Sequence, residues 1–225
     1  MRRGVPPRGG AQIIPTPPGT LPGGPPPWHG RPGRVPGFAE VLDRIGRLGP
    51  PPPVPDELVD ARPSAVLVPI FPIGDEAHVV LTKRPDHLRS HAGEIAFPGG
   101  KREPGDPDLR STALREAEEE VAIPVDAVRV LAELPTIGTV RGVVAITPFV
   151  GALDAPPVLV AQPGEVAAAF TVSLAELLDP AAWYSEQWTI WDREFDMAFY
   201  LLPGETVWGA TARILTGLLT HLTAD

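Results

Sequence analysis

The chain has no cysteine. Disulfides and thiolate chemistry are excluded, and any bound metal must take oxygen or nitrogen donors. Positive charge is in deficit: 19 Lys and Arg face 28 Asp and Glu, a net charge of −9. A nucleic-acid partner held by a basic surface is therefore not expected. No apolar run reaches the length of a membrane span, so no membrane partner is expected. Met1-Arg2-Arg3 is basic, but Gly and Pro follow where a secretory signal needs an apolar centre. Together these absences lead to the expectation of a soluble, cytoplasmic protein.

What is abundant is proline, 31 residues of 225, unevenly spread. Residues 1–36 are dominated by Pro and Gly and carry no apolar period. Such a segment cannot bury enough surface to offset chain entropy, and it reads as a disordered or extended tail, with a proline-recognition ligand as the weaker reading. Residues 37–61 read as a short helix and a Pro-rich linker. Phe38 to Leu48 has apolar residues at 38, 41, 42, 45 and 48, which is helical spacing, and Pro50 to Pro53 ends it as a stiff spacer. A compact domain is expected over 62–225, with the 43% hydrophobic content of the chain sufficient for a core.

Within that domain, Ala65–Phe71 predicts a buried strand, with Pro69 suggesting an edge position or a bulge. His78–Arg84 is a second strand on which Val80, Thr82 and Arg84 share one face. Ala127–Leu134, Val143–Val150 and Ala168–Val172 are further strands. Ser173 caps a short helix, Leu174–Leu178. Gln187–Trp191 and Phe195–Leu202 form a hairpin in which Trp188 and Trp191 are core or interface residues, and Thr206–Leu222 has a helical stripe. Mixed strands and few helices indicate α/β layers around one core.

The chemistry concentrates between Val80 and Ile123. Gly99-Gly100 is followed by a polar loop and then a helix bearing Arg115-Glu116-Ala117-Glu118-Glu119-Glu120. Asp106 is the expected helix cap, with Pro107 at the first position. Leu109, Ala113, Leu114, Ala117 and Val121 form a buried stripe. Glu116, Glu119 and Glu120 fall in one narrow sector, where like charges repel and the C-terminal end of the helix dipole disfavours them. Read alone, this is a solvated acidic face. Read with the glycine pair, which admits close backbone approach, it is a site for a hard divalent cation. Arg115 can reach Glu119 one turn on.

Gly100 to Ile123 resembles the Nudix box, which runs Gly, five residues, Glu, seven residues, then Arg-Glu-aliphatic-x-Glu-Glu-x-Gly-aliphatic. Here Asp106 stands where the first Glu is expected, with eight residues before Arg115, and Glu103 is an equal candidate for that role. Ala122 stands where Gly is usual. A second stretch, Leu81-Thr82-x-Arg84, then Arg89, Gly93 and Phe97-Pro98-Gly99-Gly100, is similar to the additional signature of coenzyme A pyrophosphatases, with Pro85 in place of a small residue. Trp208 to Arg213 also looks like that family.

For the fold, the resemblance implies an α/β/α sandwich with a mixed β-sheet. For activity, it implies metal-dependent hydrolysis of the diphosphate of coenzyme A or its acyl derivatives, with another nucleoside diphosphate, such as ADP-ribose or a dinucleotide, as the alternative. A non-catalytic binding module on the same fold is a further alternative. The implied cofactor is Mg²⁺ or Mn²⁺, on Glu116, Glu120 and Glu119, with Glu119 either a third ligand or the base. Arg115 orients Glu119. Gly99, Gly100, Arg84 and Arg89 are the implied substrate-binding residues, although as surface arginines Arg84 and Arg89 would need no explanation. Glu165, after a Pro-Gly turn, either enters the site or is a surface residue, and His91 has no evident partner. The resemblance also leaves room for a homodimer.

Overall fold

The computed structural model describes residues 9–10, 12–31, 35–88, 91–140 and 143–224. Its centre is β2 (Arg62–Ile73), which pairs in parallel with β8 (Val144–Ala152) from Arg62↔Val144 to Ile70↔Ala152. A two-residue turn at Gly74-Asp75 returns the chain antiparallel as β3 (Glu76–Lys83). Around these lie β4 (Ile95–Ala96), β5 (Gly99–Lys101), β6 (Arg129–Glu133), β7 (Ile137–Gly138) and β9 (Ala168–Ser173), giving a mixed eight-stranded sheet.

Alternation along β2 explains the layers. Ala65, Leu67 and Phe71 point to a cluster with Ala113, Ala117 and Val121 of α2 (Leu109–Val121). Val68 and Ile70 point the other way, to a core shared with Val41 and Ile45 of α1 (Phe38–Gly46) and Ile214, Leu215 and Leu218 of α4 (Gly209–Leu222). A strand buried on both faces reads as an apolar run, and helices on both faces make the α/β/α sandwich. A second, antiparallel sheet is ordered β1 (Leu21–Pro22), β10 (Trp183–Ile190), β11 (Arg193–Leu202), β12 (Glu205–Val207). The short helix α3 (Leu174–Leu178) is capped by Ser173, whose Oγ accepts from the Glu176 amide at 3.0 Å.

Four expectations are corrected. Pro69 is in a central strand, not at an edge. It falls between the stretch of β2 paired with β5, Ser64–Val66, and that paired with β3, Ile70–Ile73, where a missing N–H interrupts neither ladder. The last helix begins at Gly209 rather than Thr206, because Glu205–Val207 pairs with β11. Trp188 is buried, but Trp191 sits at the hairpin tip, 65% exposed.

The fourth concerns the Pro-rich head of the chain. Its described part is not disordered: Leu21 and Pro22 pair with Gln187 and Glu186 of β10. Trp28 is 7% exposed and packs edge-on against Trp183, ring centroids 5.4 Å apart. Helix α1 forms where expected, and its Val41 and Ile45 pack into the main core. Among the described residues no helix is long and apolar enough to cross a membrane.

Candidate active site

Helix α2 carries the site, and β5 sets its depth. A Cβ on Gly99 would run into the Ala65 carbonyl and the backbone of Val66, and one on Gly100 would run into the Glu116 carboxyl group. Only glycine lets this strand lie between β2 and the helix. The Gly99 amide donates to Glu120 Oε2 at 3.0 Å. The glycine pair is thus seated directly against two of the three glutamates.

The helix starts two residues later than expected. Its cap is Asp108, whose carboxylate accepts from the Ser111 amide at 2.7 Å. Asp106 is thereby freed for another task. It is buried, and it receives a two-pronged bond from Arg115: Nε to Oδ1 at 3.0 Å and Nη2 to Oδ2 at 3.1 Å. The Glu103 amide and the Thr112 hydroxyl also donate to Oδ2, each at 2.9 Å. The bonds from Arg115, above all, hold the Asp106 carboxyl well below the usual carboxylate range. Between Asp106 and Glu103, the structure gives the contact with Arg115 to Asp106, and Glu103 is exposed.

Arg115 is the hub of the site. Nη1 reaches Glu119 Oε2 at 2.7 Å, the expected one-turn contact, and Nη2 reaches Glu116 Oε1 at 3.0 Å. Its charge is locked on, chiefly by Asp106. The three glutamates differ sharply. Glu119 is half exposed. Glu116 is raised above the usual carboxylate value, first by burial and then by Glu119 and Glu165, against the opposing pull of Arg115. Glu120 is pushed up to about 7, mainly by burial, against the lowering pull of the Gly99 amide and Arg84, with Glu116 and Glu165 adding repulsion.

Glu165 therefore belongs to the site. Its loop is tied to the end of α2, where the Gln162 and Val160 amides donate to the Glu120 and Val121 carbonyls at 2.9 and 3.2 Å. Glu165, Gln162 and Glu119 line a cavity of about 260 Å³. Among the described residues no three acidic or His side chains gather tightly enough to hold an ion without rearrangement, since Arg115 holds Glu116 and Glu119. The donor set nevertheless fits a hard divalent cation: all oxygen, crowded, and carrying two carboxylates that burial disfavours as anions.

Arg84 follows β3 directly, close enough to lower the Glu120 pKa, and its Nε is buried with no partner among the described residues. Arg89 lies outside the described residues. His91 does have a partner: Nδ1 lies 2.8 Å from Glu94 Oε2, and that contact raises its pKa. Neither Asp106 as the anchor of Arg115 nor Glu165 as a site residue was evident from spacing alone.

The NUDIX domain model matches residues 61–192, more than half of the chain. This chain belongs to the Nudix hydrolase family. Two relatives, each named "Uncharacterized Nudix hydrolase NudL", come from Yersinia pestis (strain Pestoides F) and Yersinia pseudotuberculosis serotype O:1b (strain IP 31758). Each is 42% identical over 159 residues, 70% of this chain and 78% of the relative. Similar solved structures include a Nudix hydrolase from M. smegmatis, RenU, at 22% identity, 52% of this chain, 74% of that one and TM-score 0.45. A C. elegans Ap4A hydrolase is 18% identical, covering 54% of this chain and 86% of its own, with TM-score 0.44.

Proposed function

We propose that this Nudix hydrolase cleaves the diphosphate of coenzyme A or its acyl derivatives, giving 3′,5′-ADP and (acyl-)4′-phosphopantetheine. The observation that carries this is Arg84. It is a half-buried cation whose Nε has no partner among the described residues, placed beside Glu120 in the stretch similar to the coenzyme A pyrophosphatase signature. A guanidinium beside the carboxylates is the side chain suited to a phosphate oxygen. Phe97-Pro98-Gly99-Gly100 closes the same stretch against Glu116 and Glu120, and Arg89 is proposed as a second substrate cation on spacing.

In this reading Glu116 and Glu120 would hold Mg²⁺ or Mn²⁺, with Glu119 a third ligand or the base that accepts the proton of the attacking water. Bound there, the cation would neutralise charge on the diphosphate and acidify that water. Arg115, fixed by Asp106, holds Glu119 and Glu116 in place. Glu165 reaches the cleft from the facing loop.

The deciding experiment is product identification after incubation with coenzyme A and Mg²⁺, alongside ADP-ribose and a dinucleotide. Release of 3′,5′-ADP supports the proposal. Cleavage of ADP-ribose or the dinucleotide alone moves the substrate to another nucleoside diphosphate. No hydrolysis across the panel with either metal favours a binding module.

A further inference from the structure

We propose that Gln12, in the Pro-rich head of the chain, is a positioning residue for Arg84. This rests on the reading of Arg84 as a substrate-binding residue. The Gln12 amide bridges two segments far from it in sequence. Nε2 donates to the carbonyls of Gly93 and Thr206, both at 3.0 Å, and Oε1 accepts from the Thr206 amide at 2.6 Å. Three of the four hydrogen bonds a primary amide can make are thus committed. Thr206 is fully buried on β12, and its hydroxyl donates to the Gly9 carbonyl at 2.5 Å.

The two bridged points bracket the path of Arg84. On one side, Lys83 precedes Arg84, and its Nζ pairs with Glu205, the neighbour of Thr206, at 2.6 Å. On the other, Gly93 precedes Glu94, whose carbonyl accepts from the Arg84 amide at 2.9 Å. Strand β12 therefore holds the outgoing end of this stretch through Lys83–Glu205 and the returning end through Gln12. The return is tight: Gly93 has φ +67°, and a Cβ there would meet Asp86 Oδ1 at 2.8 Å. The backbone from which the Arg84 side chain springs is thus fastened through Glu94 and Gly93 to Gln12.

The test is a kinetic cycle on coenzyme A with Mg²⁺, combined with hydrogen exchange at the Arg84 amide. Gln12→Ala is expected to raise KM about three- to tenfold with kcat within about twofold, the size of one or two neutral hydrogen bonds in binding. In an Arg84→Ala background the same substitution is expected to change KM no further, because the two act in series. Exchange at the Arg84 amide is expected to accelerate in Gln12→Ala. Gln12→Glu, which still accepts from the Thr206 amide but cannot donate to Gly93, serves if Gln12→Ala folds poorly, and should show the same KM rise. Unchanged KM in both variants, or a KM penalty of equal size in the Arg84→Ala background, overturns the proposal. If the wild type cleaves no diphosphate, the parent reading fails by itself. Exchange at Arg84 then still decides the role of Gln12, and an unaltered rate in Gln12→Ala rejects it.

Discussion

Glu120 shows what a single residue discloses. It is buried next to Glu116 and Glu165, where stability alone would place a neutral side chain. Glu120→Gln keeps size and helix propensity and removes the charge. Turnover should fall about 10²-fold or more with the fold retained, on the scale of other electrostatic groups in catalysis, and near-normal activity would rule Glu120 out as the proposed metal ligand. The same burial sets a pH dependence. The folded pKa is about 7, above the usual carboxylate value of 4.5, so between those values the folded state keeps a proton that the unfolded state has lost. Metal-free stability should therefore fall as pH rises from about 4.5 to 7. His91, raised by Glu94, tilts the slope the same way, so the difference between wild type and Glu120→Gln isolates Glu120. Melting temperatures in chelator at pH 5 and pH 8 supply the comparison, and equal slopes in the two proteins would contradict the burial argument. Ala122 gives a third residue-level test. It ends α2 with φ +58°, exposed, where a side chain is strained. Ala122→Gly should add about 0.5–1 kcal/mol of stability, read by denaturant unfolding, without changing kcat.

At the scale of elements, helix α2 was legible because its information is local. The stripe Ala113, Ala117 and Val121 fixes the buried face, with Glu120 at its edge and Glu116 and Glu119 turning outward from it. The loop before it was not legible. Asp106 and Asp108 are both acceptable caps, and only the folded path of residues 101–106 decides that Asp108 caps while Asp106 turns to Arg115. The very short strands β4, β5 and β7 escaped for a related reason: two or three residues carry no period, and Gly99 and Gly100 join the sheet for lack of side chains rather than through strand propensity. The Asp106–Arg115 clamp has a measurable role. Asp106→Ala should release Arg115 from its anchor, leaving Glu119 and Glu116 less constrained. If the proposed metal site is correct, turnover should fall roughly 10- to 100-fold, the scale for groups that orient metal ligands from behind. Turnover equal to wild type would show that Arg115 needs no anchor.

For the molecule as a whole, the head of the chain was the largest misreading. A segment rich in Pro and Gly has no internal period, and composition alone cannot reveal that β10 offers it an edge or that Trp183 offers Trp28 a ring. Burying a Trp and pairing a strand edge contribute on the order of 2–3 kcal/mol, so deleting residues 1–31 should lower the melting temperature by roughly 5–10 °C. An unchanged melting temperature would show that the head is dispensable to stability. The attachment also has a temporal side. The Arg31 guanidinium holds the Thr220 carbonyl at 3.0 Å, that of Arg44 holds Leu222 at 3.0 Å, and Gln12 holds Thr206, across 178 to 194 positions of sequence. Residues made early are thus fastened to residues made some 178 to 194 positions later. At roughly 5–20 residues per second, Gln12, Arg31 and Arg44 wait some ten to forty seconds for these partners, and a nascent chain halted before Glu205 offers none of the three.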